Sequence, residues 1–177
     1  LESTLFTLEL EHLGRVGDQG VEPAELSIVI TTGGGTPLTG PQVAALFDRL
    51  RLYRVEGAVE TLVAEDLGPS SGSPLSLTVL PAGGAEVVDA PSAPGLASVG
   101  IFELRATLDP DAGDTLSTFR LELNEQEGEI VVRDESGTLL ASTLPWDGLE
   151  ESFGVIDVLF ADGFEDGNTD AWSVTVP

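Results

Sequence analysis

Short stretches in which apolar and polar residues alternate recur along most of the chain, and they constrain its fold more than any other feature. In residues 98–108 four apolar side chains share one face: Phe102, Leu104, Ala106 and Leu108. A period of two is the repeat of a β-strand with one buried face. Links rich in Gly and Pro, such as 68–74 and 90–95, separate these stretches as turns do. The pattern predicts an antiparallel sandwich.

The first alternating stretch, residues 4–13, predicts a half-buried strand. Its apolar face carries Phe6, Leu8 and Leu10, and His12 continues this face near the strand's end. The absence of a catalytic partner nearby in the sequence favours a hydrogen-bonded structural role for His12. A polar connection rich in Gly, residues 14–23, follows, and residues 25–31 predict the second strand.

Further strands are predicted at 59–65, 75–80, 85–88, 98–108, 117–124, 129–133 and 138–144. One helix is predicted, at about 41–50. Thr39 suits its N-cap, Gln42 stands three residues on as in a capping box, and Pro41 suits the first turn. Since no helices alternate regularly with the strands, a doubly wound α/β fold is disfavoured.

The fold class is therefore all-β: an antiparallel immunoglobulin-like or jelly-roll sandwich with one short helix. We expect the sandwich body to span residues 1–145, within which 1–23 form an N-terminal strand and linker open to exchange between copies. Residues 146–177 form a C-terminal strand–loop–strand segment, with strands at 155–160 and 171–176.

The composition excludes several classes of function. Asp and Glu number 31 against seven Arg and no Lys, for a net charge of −24. Such a field repels nucleic acid and anionic membrane surfaces, so we expect no nucleic-acid partner and no membrane insertion. Without Cys or Lys there is no thiolate nucleophile and no Schiff base, and one His excludes an intrachain two-histidine metal site. No catalytic signature remains, which predicts that the chain is not an enzyme.

Two regions resemble immunoglobulin-like repeats of large secreted bacterial proteins. They contain the segments TPLTGPQVAALFDRLRLYR, within residues 26–66, and FELRATLDPDAGDTLSTFRLEL, within residues 99–123. The resemblance implies an extracellular, non-enzymatic architecture.

The end of the chain, LFADGFEDGNTDAWSVTVP, resembles a C-terminal segment of exported bacterial proteins with the general form GFE-x-G-x-x-x-AW-S. The residues that match are Gly163, Phe164, Glu165, Gly167, Ala171, Trp172 and Ser173. The resemblance implies export and a natural terminus at Pro177. We therefore expect an extracellular or cell-surface location after removal of an export signal.

Two acidic loops are candidate Ca²⁺ sites, because calcium prefers several oxygen ligands. The denser loop carries Asp162, Glu165, Asp166, Asn168 and Asp170. The other carries Asp109, Asp111 and Asp114 in the sequence DPDAGD. Asp, Pro and Gly also form simple turns, so a solvated turn is the alternative for each loop. No cofactor other than Ca²⁺ is expected.

The function predicted from these features is that of a structural or adhesive surface subunit that polymerises by β-strand exchange. The residues expected at the exchange interface are Phe6, Leu8, Leu10, Val155, Leu159, Trp172 and Val174. The alternative is a calcium-dependent or carbohydrate-binding module of a larger secreted protein. Arg49, Arg51 and Arg54 form a cluster that either pairs with Glu across strands or receives an acidic partner, such as another copy of the chain.

Overall fold

Strands account for more than half of the residues that the structure describes. The computed structural model describes residues 2–80, 84–123, 130–140 and 150–154. Within these residues the strands form two sheets in which every named pair is antiparallel. The all-β prediction is confirmed.

The first sheet has four strands. Their spatial order is β1 (Glu2–His12), β6 (Ser98–Leu108), β3 (Phe47–Glu56) and β4 (Val59–Leu67). Thus β1 and β4 lie at its two edges, and β6 is paired along both sides. The prediction of a strand over 98–108 matches the observed bounds.

The second sheet has six strands. They are β10 (Glu150–Gly154), β7 (Thr118–Leu123), β2 (Val21–Thr32), β8 (Ile130–Asp134), β9 (Leu139–Leu140) and β5 (Leu75–Thr78). Strand β10 pairs with β7, and β9 pairs with β8.

Strand β2 organises this second sheet. Ile28 is paired with Leu75 of β5 and also with Leu123 of β7, so these two strands lie on opposite edges of β2. Leu26 is paired with Leu77 of β5 and with Ile130 of β8, so β8 also lies opposite β5. Strands β7 and β8 therefore follow one another along the same edge of β2.

The core lies between the inner faces of the two sheets. Alternate apolar side chains of β2, β6 and β7 are fully buried, including Ile28, Leu104 and Phe119. Phe47 of β3 contacts Phe119 of β7 edge to face, with ring centroids 5.4 Å apart and the rings at 88°. This contact joins the sheets directly, since β3 and β7 belong to different ones.

The predicted helix is present but shorter than expected. Helix α1 spans Gly40–Leu46, and Phe47 begins β3, so the prediction of helix as far as residue 50 was wrong. The Gln42 side-chain oxygen accepts the Thr39 backbone N–H at 2.9 Å, as expected at the helix start. Beyond Phe47 the apolar residues recur every second position, and strand pairing with β6 prevails over the helical spacing.

Three other predictions needed correction. A second helix, α2 (Ala112–Thr115), occupies the turn that was expected to lack helix. The link was predicted to end at residue 23, but strand β2 already begins at Val21. Pro23 is accommodated within this strand because it lies beside a register shift, where its missing N–H is tolerated. The strand predicted at 85–88 is only an isolated bridge between Val88 and Val21.

We expect Phe119→Ala to lower the free energy of unfolding by about 3–5 kcal/mol, because it removes the contact with Phe47 and leaves a cavity in the core. Urea denaturation followed by far-ultraviolet circular dichroism measures the change. Ser76→Ala, on the exposed face of β5, is the control and should shift the free energy by less than about 0.5 kcal/mol. A similar small change for Phe119→Ala would contradict the assigned core.

Candidate interaction site

Strand β1 holds the three N-terminal residues predicted for the exchange interface. Phe6 is paired with Leu104, Leu8 with Phe102, and Leu10 with Gly100 of β6. Phe6 and Leu8 are buried and Leu10 is partly buried against the same core. In this structure, β1 therefore completes the core of its own chain, and its inner face is the one that the sequence predicted.

A register shift between Thr4 and Phe6 makes β1 irregular. Strict alternation would place Leu5 on the polar face, yet Leu5 is buried beside Phe6. Two adjacent apolar residues in an alternating pattern were the available signal for this β-bulge. In the part of the chain that the structure describes, no strand pairs with the outer edge of β1.

His12 fixes the loop that leaves β1. The Gly14 N–H donates to His12 Nδ1 at 2.9 Å, while His12 Nε2 lies 2.9 Å from the Gln19 carbonyl oxygen. These partners assign the neutral ring with its proton on Nε2. A Cβ at position 14 would come within 2.3 Å of the imidazole, which explains the glycine. The structural role expected for His12 agrees with these contacts.

An ion-pair network occupies the outer face of the four-stranded sheet. The Arg105 guanidinium donates to both carboxylate oxygens of Glu60, at 2.8 and 2.6 Å, and to Glu103 Oε2, at 3.0 and 2.7 Å. Its central carbon lies 4.7 Å from the centroid of the Tyr53 ring. These hydrogen bonds lower the pKa of Glu60 and raise the pKa of Arg105 from their ordinary values. The network was not predicted, because its members come from three strands.

The three clustered arginines have separate surroundings. Arg49 pairs with the adjacent Asp48, and Arg51 pairs across the strands with Glu65 at 2.6 Å, as the cross-strand alternative predicted. Arg54 is 7% exposed and points into the sandwich, where it lies over the Phe102 ring. Leu50 and Leu52 are buried, so the alternation of a strand would have predicted that Arg54, two positions further on, also faces inward.

Arg54 is incompletely satisfied among the described residues. Its Nη2 atom pairs with Glu56 at 3.2 Å, but its Nε and Nη1 atoms have no hydrogen-bond partner there. Gly100 makes room for it, since a Cβ at that position would stand 2.3 Å from Nη1. Any larger residue at position 100 would therefore displace the guanidinium.

The acidic loop in the described region forms a turn. Asp109 Oδ1 accepts the Asp111 N–H at 2.9 Å, and the Asp109 carbonyl oxygen accepts the Ala112 N–H at 3.0 Å. Asp111 and Asp114 are exposed. Among the described residues, no three His, Cys, Asp or Glu side chains come close enough to hold a metal ion. Calcium binding at this loop stays a prediction.

The remaining predicted site residues lie outside the described residues. They are Val155, Leu159, Trp172 and Val174 of the exchange interface, and Asp162, Glu165, Asp166, Asn168 and Asp170 of the acidic loop. The roles proposed for these residues stay predictions.

Comparison of the chain with protein families, with curated proteins and with solved structures gave no match. The described helices are all too short to cross a membrane. The fold is that of a two-sheet antiparallel all-β protein.

We expect His12→Phe to loosen the loop after β1, because the ring keeps most of its volume but loses both hydrogen bonds. The Gly14 amide should exchange with solvent faster, and the free energy of unfolding should fall by about 1–2 kcal/mol. Amide exchange measured by NMR tests this. Thr7→Ala on the exposed face of the same strand is the control; unchanged Gly14 exchange in His12→Phe would contradict the assigned contacts.

We expect Glu60→Gln to destabilise the fold at neutral pH and to matter less in acid. A carboxyl whose pKa is lowered on folding stabilises the protein above its unfolded pKa, and this contribution is lost as the pH falls through the folded pKa. The difference in urea midpoint between parent and variant should therefore shrink from about pH 6 to about pH 3. Glu25→Gln, which removes a carboxylate but no ion pair among the described residues, is the control variant.

Proposed function

We propose that the protein is an extracellular structural or adhesive subunit that assembles with other copies of itself by exchanging β1. The observation that carries this proposal is the position of β1. It is an 11-residue edge strand that contributes Phe6 and Leu8 to the core and pairs with β6 alone among the described strands. The predicted secretion of the chain supports the extracellular setting.

Exchange of β1 would conserve most of its contacts. A copy of β1 that entered the sandwich of a neighbouring chain would meet the same residues of β6, such as Phe102 and Leu104, in the same register. The two arrangements then differ mainly in the connection between β1 and β2 and in the entropy of association. That connection includes Gly14, Gly17 and Gly20, and Gly17 has a φ of 87°.

The surface charge restricts the partner. With a net charge of −24, the protein disfavours partners that present phosphates or other dense negative charge. Strand β1 avoids this repulsion in the core, because Phe6, Leu8 and Leu10, which are paired with inward-facing residues of β6, are apolar. A second copy of the chain is therefore a suitable partner, because its β1 strand matches the core and the β6 edge that β1 already occupies in the fold.

Crosslinking tests the exchange, since the chain contains no Cys. Thr7 of β1 is paired with Glu103 of β6. We expect a mixture of Thr7→Cys and Glu103→Cys, unfolded together and refolded at high concentration, to give a crosslinked species of two chains with a short bismaleimide reagent. The crosslink can form in register only if β1 of one copy pairs with β6 of another.

The matched control mixes Thr7→Cys with Ser76→Cys, whose exposed side chain belongs to the second sheet. This mixture should give only the background of random collisions. Equal yields from both mixtures would overturn the exchange of β1. A chain that carries both Thr7→Cys and Glu103→Cys should crosslink internally at low concentration, which verifies the pairing itself.

A further inference from the structure

The loop after β1 presents two apolar side chains to solvent on either side of an arginine. Leu13 is 77% exposed and Val16 is 51% exposed, and Arg15 between them is also exposed. Large apolar residues grouped with a cation on one short loop are typical of a contact surface.

This loop has a defined conformation. The Asp18 carboxylate accepts the Arg15 N–H at 2.6 Å, and the Asp18 N–H donates to the Arg15 carbonyl oxygen at 3.0 Å. The contacts of His12 with Gly14 and Gln19 hold both ends of the loop. A loop that is already ordered loses less conformational entropy when it binds.

Arg15 differs from most arginines of the chain. Within the described residues its side chain forms no ion pair, whereas five other arginines each have a carboxylate partner: Arg49, Arg51, Arg54, Arg105 and Arg133. In a chain with 31 acidic residues, an exposed cation without such a partner is available for a contact with another molecule.

A complementary surface lies on the outer face of β1 and β6. Ile101 and Val99 of β6 are 36% and 49% exposed. Glu9 of β1 is paired with Ile101, and Glu11 is paired with Val99. Apolar side chains therefore run beside a row of exposed carboxylates, with about 7 Å between successive members of each row.

We propose that the loop 13–16 of one copy docks on this β1–β6 surface of a second copy. Leu13 and Val16 contact Val99 and Ile101, and Arg15 pairs with Glu9 and Glu11. Charge complementarity selects the occupant, because the loop supplies a cation and apolar groups where the surface offers carboxylates and apolar groups. As both partners lie near the same end of β1, a two-fold dimer can form the contact twice.

Because each copy has a high net charge, the salt concentration influences this contact. Two copies that each carry −24 repel one another at long range. At about 0.15 M salt the screening length is about 8 Å, so this repulsion weakens while groups in direct contact still attract. We therefore expect dimerisation to strengthen from about 0.02 M to about 0.15 M NaCl.

The docking contact does not require β1 to leave its own sheet, so it stands independently of strand exchange. Thr7 and Glu103, the positions used for the exchange crosslink, lie outside the docking residues. An exchanged dimer gives the Thr7–Glu103 crosslink whatever the charge at position 15. A docked dimer depends on that charge, so any crosslink that docking allows is lost in Arg15→Glu.

Charge reversal tests the docking. Sedimentation equilibrium of the full chain in about 0.15 M NaCl should show a dimer whose Kd rises about tenfold or more in Arg15→Glu and in Glu11→Arg. A mixture of these two variants should form a heterodimer with an affinity near that of the parent, because each loop then faces a carboxylate or guanidinium of opposite sign. Arg49→Glu makes the same change in net charge away from the patch and should leave the Kd within about twofold of the parent.

Several results would overturn the proposal. These are a monomer at every concentration, equal effects of Arg15→Glu and Arg49→Glu, or no recovery in the mixture. Circular dichroism of each variant checks that the fold is retained. We expect it to be, since Arg15 and Glu11 are exposed and Arg49 is partly exposed.

Discussion

The pairing of β6 along both of its edges is the constraint on which the rest of the molecule depends. Its inner face supplies Phe102, Leu104 and Ala106 to the core, and its two edges hold β1 and β3 in register. Its outer face carries Arg105 in the ion-pair network and Ile101 in the apolar row. One alternating sequence therefore determines the interior, the neighbours and the exposed surface of the four-stranded sheet, since successive side chains of a strand point to opposite faces.

The two halves of that outer face have different chemistry. Around Tyr53 the arginines are already matched by carboxylates of the same chain, so little charge is left for a partner. Toward Val99 the face becomes apolar, and Glu9 and Glu11 of β1 form no ion pair in the described region. Ion pairs at the surface contribute modestly to stability, whereas unmatched groups of opposite sign on two copies influence which surfaces meet. This asymmetry is why we place contact between copies at one end of the sheet.

The sequence predicted the strands well where alternation was strict and failed where two signals overlapped. Residues 98–108 gave correct bounds because apolar and polar residues alternate strictly from Phe102 to Leu108, although Val99 and Ile101 add apolar side chains to the outer face. After Leu46 a helical stripe and a strand alternation overlap, and only pairing with β6 decides between them. The bulge at Leu5 and the inward orientation of Arg54 could have been predicted from the alternation of apolar and polar residues around them. The network of Arg105 with Glu60 could not be read, because 45 positions separate the two residues and only the sheet order brings them together.

The alignment of β7 and β8 along one edge of β2 has a consequence for how this chain can vary. The register of each strand is set by its own pairing with β2, at residues 28–32 for β7 and 21–26 for β8. The length of chain that connects them does not enter either pairing. A substitution at residues 28–32 that weakens the pairing with β7 therefore leaves the residues of β2 that pair with β8 unchanged, and the reverse also holds.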